Sequence, residues 1–376
     1  NLTSAQVSAL TTDQVATLKT DHIASLNVAT LNALTTDQIA ALTTTQLVKL
    51  SNANITAFNT AQVAALTTEQ VANMTAAQLR SLENVDLQAM GTDQLVALTT
   101  DQIDKLTTAQ LNALTSDQIP ALTTTQMGKL TNSQLGNLTT THLQELGSAQ
   151  IAALSSDQLR ALVSTQYAAM LADQVQAIST TNIAALESGD VAGFTSTQVA
   201  ALSTNQVVAM TTDQLSVLTS ASLAGMGPLQ VTALTTTQAK ALTSDQLNSL
   251  STLQLSALST AQVAAFTTAQ VAALSVTQLN RLGEEQVQAL TSAQIAAVPT
   301  ATLAALSTTQ VASLTSSQIT ALGTAQAASM LSSQIQIWKH PWLMRCVNWH
   351  PPPVHSQAVE FKFLLAPKKD QSAACC

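Results

Sequence analysis

The residues best suited to chemistry gather at one end of this 376-residue chain. All three cysteines (Cys346, Cys375 and Cys376) and three of the five histidines (His340, His350 and His355) follow residue 336. Cys346, His350 and His355 are the donor types that hold zinc. Cys-x3-His-x4-His is nevertheless not a structural zinc spacing, and no Cys-x2-Cys accompanies it. The other two histidines, His22 and His142, together with Asp86 and Asp190, stand in a slot otherwise held by Gln. There, a polar side chain bonding a helix cap accounts for them better than acid–base catalysis does. No Gly-rich phosphate loop, His-Glu-x-x-His, Gly-x-Ser-x-Gly or calcium loop is present. The sequence therefore predicts no catalytic, cofactor-binding or metal-binding residue and no enzyme. Asn-x-Ser/Thr at Asn1, Asn54, Asn73 and Asn137 follows from the abundance of Thr.

The elements that carry these residues are written in a repeat. From Leu2 to Met330 a large apolar residue recurs every eight positions through 42 octads, without one insertion or deletion. The departures from Leu, such as Phe58, Met74, Ile178 and Val298, are all apolar. The consensus is Leu-Thr-Thr-x-Gln-Val-Ala-Ala, with a second apolar slot five residues after each Leu, from Val7 to Ile335. The Gln before it is kept in 33 of the 42 octads, and every replacement can hydrogen-bond: His22, Thr30, Asn54, Asp86, His142, Asn182, Asp190, Ser222 and Thr302.

Apolar slots spaced alternately by three and five residues cannot lie on one face of a strand, which needs even spacings, whereas a gap of three fits a helix. Ala in the slots between Val and Leu favours helix further. One continuous helix is excluded, because eight residues turn roughly 800° and the apolar stripe would drift about 80° per octad. Each octad must break, and Thr-x-x-Gln marks the place. It is a capping box, in which the Thr hydroxyl accepts the third-position amide and the Gln reaches back to the Thr amide. Asp or Glu two residues after the cap, as in Asp13, Asp37, Glu69 and Asp101, suits a helix N-terminus. Pro228 falls on a first helical position, where its missing amide is harmless. Pro120 lies inside an expected helix and Pro299 on a cap slot, so both read as defects.

On a helical wheel the Leu, Val and Gln slots share a face. The first Ala slot lies opposite and admits Arg80, Asp104, Gln144, Arg160 and Lys240, which places it in solvent. The second Ala slot stays small, which implies a neighbouring backbone close by. Helices of about six residues are not stable alone, so octads must stack. The expected fold is an all-α solenoid of very short capped helices, one per eight-residue repeat, with an irregular C-terminal tail. The number of octads per coil does not follow, because no 16-, 24- or 32-residue super-period is visible.

The repeat occupies residues 1–336, and residues 337–376 form a tail of different composition. Net charge is −11 in the repeats and +3 in the tail, and all three Trp (Trp338, Trp342 and Trp349) belong to the tail. The tail reads as a cap in which Trp338 and Trp342 cover the last apolar face, as a disordered end, or as an out-of-frame extension. Overall the chain is 46% hydrophobic and 9% charged with mean hydropathy +0.23, which argues against generic disorder. The acidic repeats exclude a basic footprint for nucleic acid, and no apolar run is long enough to span a membrane. No signal peptide is visible, and the chain starts inside an octad as a piece of something longer would.

The runs Leu34-Thr-Thr-Asp-Gln-Ile-Ala-Ala and Leu98-Thr-Thr-Asp-Gln-Ile-Asp-Lys resemble octads of long bacterial surface or secreted repeat proteins, described as adhesin-like. A likeness to the Leu-Thr-x-x-Gln-Val start of transcription-activator-like effector repeats fails on the period and on the missing base-reading loop. The first resemblance covers residues 1–336. It implies a non-enzymatic extended scaffold, a stalk, adhesin or self-assembling filament segment, at the cell surface or outside the cell. Its partner would be another copy or an extracellular ligand, with no nucleic acid. Two alternatives remain: ice or another ordered surface bound through aligned Thr rows, and a protein-interaction α-solenoid.

Overall fold

The computed structural model describes residues 2–331 and residue 334. The tail 337–376, with its three readings and with Cys346, His350 and His355, lies outside the described residues. Among the described residues there are forty helices and no strand, the helices running from four residues, as in Thr100–Ile103, to six, as in Thr68–Asn73. The solenoid of very short capped helices expected from the octad is the observed architecture. Two compact units divide the chain between Gly193 and Phe194, and the same octad builds each.

One octad shows how the sequence folds locally. Thr67 caps the helix Thr68–Asn73 in the extended region (φ −72°, ψ 157°), and the box with Gln70 is complete. Glu69 sits in the first turn, where the helix dipole favours it. The helix then stops at Met74 (φ −57°, ψ 142°), an extended residue that turns the chain toward the next cap. Helices commonly end on a left-handed Gly that satisfies the last carbonyls. Here no residue with positive φ is found among the described residues, so those carbonyls must find partners elsewhere.

The coil follows from which octads touch. In the first unit the helix Thr60–Ala64 packs on Thr36–Ala41 before it and Asn84–Ala89 after it, three octads away on each side. In the second, Thr236–Ala241 packs on Thr260–Ala265 at the same separation. Side-chain bonds meanwhile reach carbonyls 28 and 31 residues back, in the third and fourth octads before. Each octad thus rests between the third and fourth octads of the preceding coil, and a coil takes about 28 residues.

Both apolar slots line the axis of this coil. Val-slot side chains are innermost, with Val63, Leu79, Ile103 and Val207 wholly buried, while Leu-slot residues retain a few per cent of exposure. Tyr167, in a Val slot, is also fully buried. In the first Ala slot Arg80, Gln144, Arg160 and Lys240 are exposed as expected, whereas Asp104 is half-buried and a Cβ on Gly136 would stand 2.6 Å from the Ala161 carbonyl oxygen. The second Ala slot meets the preceding coil. A Cβ on Gly193 would stand 3.0 Å from the Ser164 carbonyl oxygen, and one on Gly225 only 2.1 Å from that of Ser196.

The two defective prolines have separate outcomes. Residues 116–121 form consecutive turns instead of the expected helix. Pro120 has no N–H to give the Ser116 carbonyl, so only Ile119 to Thr115 (3.1 Å) survives as an i to i−4 bond and the α pattern cannot repeat. Pro299 does sit on a cap slot, yet the helix Thr300–Ala304 forms behind it without a side-chain cap.

Gly225→Ala is expected to cost about 1–3 kcal/mol, because the Ser196 backbone must move to admit one methyl group. Gly189 has no atom within 4 Å of an added Cβ and lies in the helix Ser188–Val191, so Gly189→Ala should stabilise by about 0.5–1 kcal/mol. Urea unfolding of the two variants beside the parent chain checks both signs.

Candidate functional site: the glutamine seam

The repeated Gln carries more than the cap. Gln70 accepts the Thr67 N–H on Oε1 at 2.7 Å, as the capping box requires. Its Nε2 donates to the carbonyls of Ile39 at 2.8 Å and Leu42 at 2.6 Å in the preceding coil. Gln318 in the second unit repeats the pattern, with Thr315 N–H on Oε1 at 2.8 Å and Nε2 on Val287 and Leu290 at 2.9 and 2.6 Å. The carbonyls served are those of the Val slot, which also accepts the N–H of the next Leu-slot residue at 3.2 Å, and of the Leu slot at the C-terminal end of a helix. One carboxamide therefore starts its own helix and finishes an earlier one. These Gln side chains are buried, so neither half of the amide has water as an alternative partner.

Of the two halves of the capping box, the Gln half is the more persistent. Where Gly91, Val163 or Leu171 fills the cap slot, the Thr hydroxyl is lost, yet Gln94, Gln166 and Gln174 still accept the cap N–H at 2.7–2.8 Å. This accounts for half-exposed Val163 and Leu171 at positions that elsewhere hold Thr.

Octads that depart from the rule show compensation. Neither the His142 nor the His22 side chain bonds its cap, contrary to the expectation from their slot, although the His142 backbone N–H donates to Thr139 Oγ1 at 3.2 Å. The Thr139 N–H instead goes to Asn112 Oδ1 at 3.1 Å, while Asn112 Nδ2 donates to the Asn137 carbonyl at 2.7 Å. An imidazole is rigid and bulkier than an amide, and His142 Nδ1 is left buried without a partner. Gln278 is displaced too. Its Nε2 donates to the Asn248 carbonyl at 2.6 Å, and Asn248 Oδ1 accepts the Ser275 N–H at 3.0 Å in its place. Asp190 has no hydrogen to give the Leu159 carbonyl 31 residues before it, and the Tyr167 hydroxyl takes that carbonyl at 2.8 Å. Pro299 has no N–H to be capped, and its octad carries Thr302 where Gln would stand.

The four residues singled out from sequence are thus scattered along the seam. His22 is exposed, His142 and Asp86 are buried, and Asp190 is half-buried. They stand more than four octads apart, beyond the reach of one coil. Burial is the main cause that raises the carboxyl pKa of Asp86 above the usual range, with Glu83 adding to it and the Glu83 N–H opposing. Burial raises Asp190 as well. The Glu187 N–H and Arg160 oppose that rise, and the Glu187 carboxylate adds to it. The Tyr167 hydroxyl is pushed up by burial and by the Asp190 charge. Among the described residues no three His, Cys, Asp or Glu side chains are grouped to hold a metal ion. What the arrangement does chemically is hydrogen-bond exchange between coils.

The family model of the ALTTAQ repeat matches residues 20–52, 45–76, 74–108, 103–132, 127–163, 183–220, 244–276 and 268–300, together well over half of the chain. The chain belongs to the ALTTAQ-repeat family. Each ALTTAQ match is about four octads long, close to the reach of one seam bond. The stretches 164–182 and 221–243 between matches hold Tyr167, Leu171, Asn182, Ser222 and Pro228, which depart from the consensus. A comparison with curated proteins found no match.

Gln102→Glu isolates the seam function within this ALTTAQ chain. The carboxylate can still accept the Thr99 N–H but cannot donate to the Val71 and Met74 carbonyls, which Gln102 now holds at 2.8 and 2.7 Å. Burying an acceptor against two acceptors should cost about 3 kcal/mol or more at neutral pH. Thr107→Ala, which removes one cap hydroxyl from the Gln110 N–H, should cost about 1 kcal/mol. Hydrogen exchange of Thr68–Asn73 and Thr100–Ile103 checks the first, and exchange of Thr108–Leu111 checks the second.

Proposed function

We propose that this ALTTAQ-repeat chain is a non-enzymatic scaffold, a stalk, adhesin or self-assembling filament segment of a bacterial surface or secreted protein. The observation that carries this reading is the seam itself. Its buried amides are spent on caps and on the carbonyls of the preceding coil, and the slots left in solvent vary without converging on a constellation of reactive groups. A repeated structural bond multiplies length and regular surface, whereas a catalytic centre needs unique residues held together. The acidic repeats disfavour nucleic acid as partner, leaving another copy or an extracellular ligand. No helix among the described residues is long and apolar enough to cross a membrane.

A second reading, binding to ice or another ordered surface, is favoured by one observation. Thr44, Thr68 and Thr92 occupy the same slot on helices that pack in succession, and Thr68 and Thr92 are exposed. Such a row offers hydroxyls at a repeated spacing.

Antibody against the repeats, applied to intact producing cells and to their culture medium, tests the first reading. Label on the surface or in the medium is expected, and retention inside the cells overturns it. For the second, thermal hysteresis and crystal shaping in concentrated protein are expected, and unaltered ice growth removes it.

A further inference from the structure

Replacements in the seam slot allow Asp to be compared with side chains of its own length. Asn54 Nδ2 donates to the Leu26 carbonyl at 3.1 Å and Asn182 Nδ2 to the Leu154 carbonyl at 3.0 Å, each 28 residues back. Even Ser222 makes this bond, from Oγ to the Phe194 carbonyl at 2.6 Å. These three short side chains give up the bond 31 residues back and keep the one 28 back. For Asp86 and Asp190 the corresponding carbonyls are those of Phe58 and Leu162. An ionised carboxylate has no hydrogen to offer them and presents lone pairs to lone pairs. One oxygen of Asp190 already accepts the Glu187 N–H at 2.9 Å, which leaves the second for the carbonyl.

We propose that Asp86 and Asp190 are acid-operated latches between successive coils, each taking a proton from solvent and donating it in a hydrogen bond to the Phe58 or Leu162 carbonyl. The protonated carboxyl matches Asn in shape and places its O–H where Asn54 and Asn182 place Nδ2. The surroundings suit this. Asn84–Ala89, which carries Asp86, packs on Thr60–Ala64 and Thr108–Leu111, and neither bears a titratable side chain. The remaining charge is Glu83 in the same octad, and it favours the neutral acid. Ser188–Val191, which carries Asp190, packs on Ser164–Ala169 with its Tyr167. Glu187 precedes Asp190, and Arg160, paired with Asp157, opposes its protonation. Because the Tyr167 hydroxyl already holds the Leu159 carbonyl, the octad of Asp190 keeps one seam bond at any pH. No such substitute stands beside Asp86, so that latch has the larger effect.

The sign follows from linkage. Both carboxyls have a raised pKa in the folded chain. Their contribution to stability is therefore fully present below the ordinary carboxylate pKa and is lost as pH rises through the folded value. These two seams tighten in acid, opposite to the usual loss of carboxylate interactions.

Peptide-resolved hydrogen exchange on the full chain between pH 4.5 and 7.5, corrected for intrinsic rates, tests the proposal. Protection of residues 83–90 should rise on the order of tenfold as pH falls, the worth of one hydrogen bond gained between coils. Residues 67–74, whose seam residue is Gln70, should stay flat. Asp86→Asn should hold residues 83–90 at the acid level of protection across the range, and Asp190→Asn should do the same, with a smaller change, for 187–194. A flat wild-type profile at 83–90, or an Asp86→Asn chain that keeps the wild-type pH dependence or loses protection at every pH, overturns it. If Asp86→Asn fails to fold, the Asp190→Asn profile decides on the same terms.

Discussion

The bond from a Gln Nε2 to carbonyls 28 and 31 residues earlier is the interaction on which the rest of this protein rests. A six-residue helix leaves as many backbone groups unpaired as it pairs, because four amides and four carbonyls are orphaned at its ends. Each octad meets this shortage with one side chain that is acceptor and donor at once. The acceptor end serves the start of its own helix and the donor end serves the finish of another. Glu, which caps equally well, cannot supply the second bond. Buried apolar slots add the hydrophobic stabilisation, but a core of Leu and Val alone would not say which octad rests on which. The carboxamide sets that register.

Much of this was legible in the octad. The period, the cap, the helical state, the solvent position of Arg80 and Lys240 and the close approach at Gly193 and Gly225 all follow from spacing, size and capping chemistry. The coil did not follow, for a physical reason. An octad rests between the third and fourth octads before it, so about three and a half octads make a turn and all of them are equivalent neighbours. No super-period is then required, and none is written. The donor half of the Gln was hidden because the capping box already gave the residue a sufficient reason. The sign available was that Glu, the commoner partner of a Thr cap, fills the slot in none of the 42 octads. His142 departs for a related cause: a polar residue in a capping slot predicts a cap, while the acceptor, Asn112, lies 27 residues before the amide it bonds.

The departures are as informative as the rule. Asn112 beside the octad of His142, Asn248 beside Gln278 and Tyr167 beside Asp190 each restore one bond that the seam slot no longer makes. Buried backbone groups without partners are costly enough that loss of the amide at one place is met by a hydroxyl or amide from another octad. Asp86 has no such neighbour, and it is the one seam acid that is wholly buried.

Octads that are equivalent neighbours are also interchangeable parts. A gene encoding such a chain can gain or lose whole octads by slippage, and every remaining Gln still finds carbonyls at its accustomed distances, whereas any other change of length throws the following coils out of register. The compensated pairs limit this freedom. Between Asn112 and Thr139, and between Asn248 and Ser275, an added octad would part a donor from the acceptor that replaced it. Those two intervals, like the one between Tyr167 and Asp190, have become fixed lengths inside the repeat.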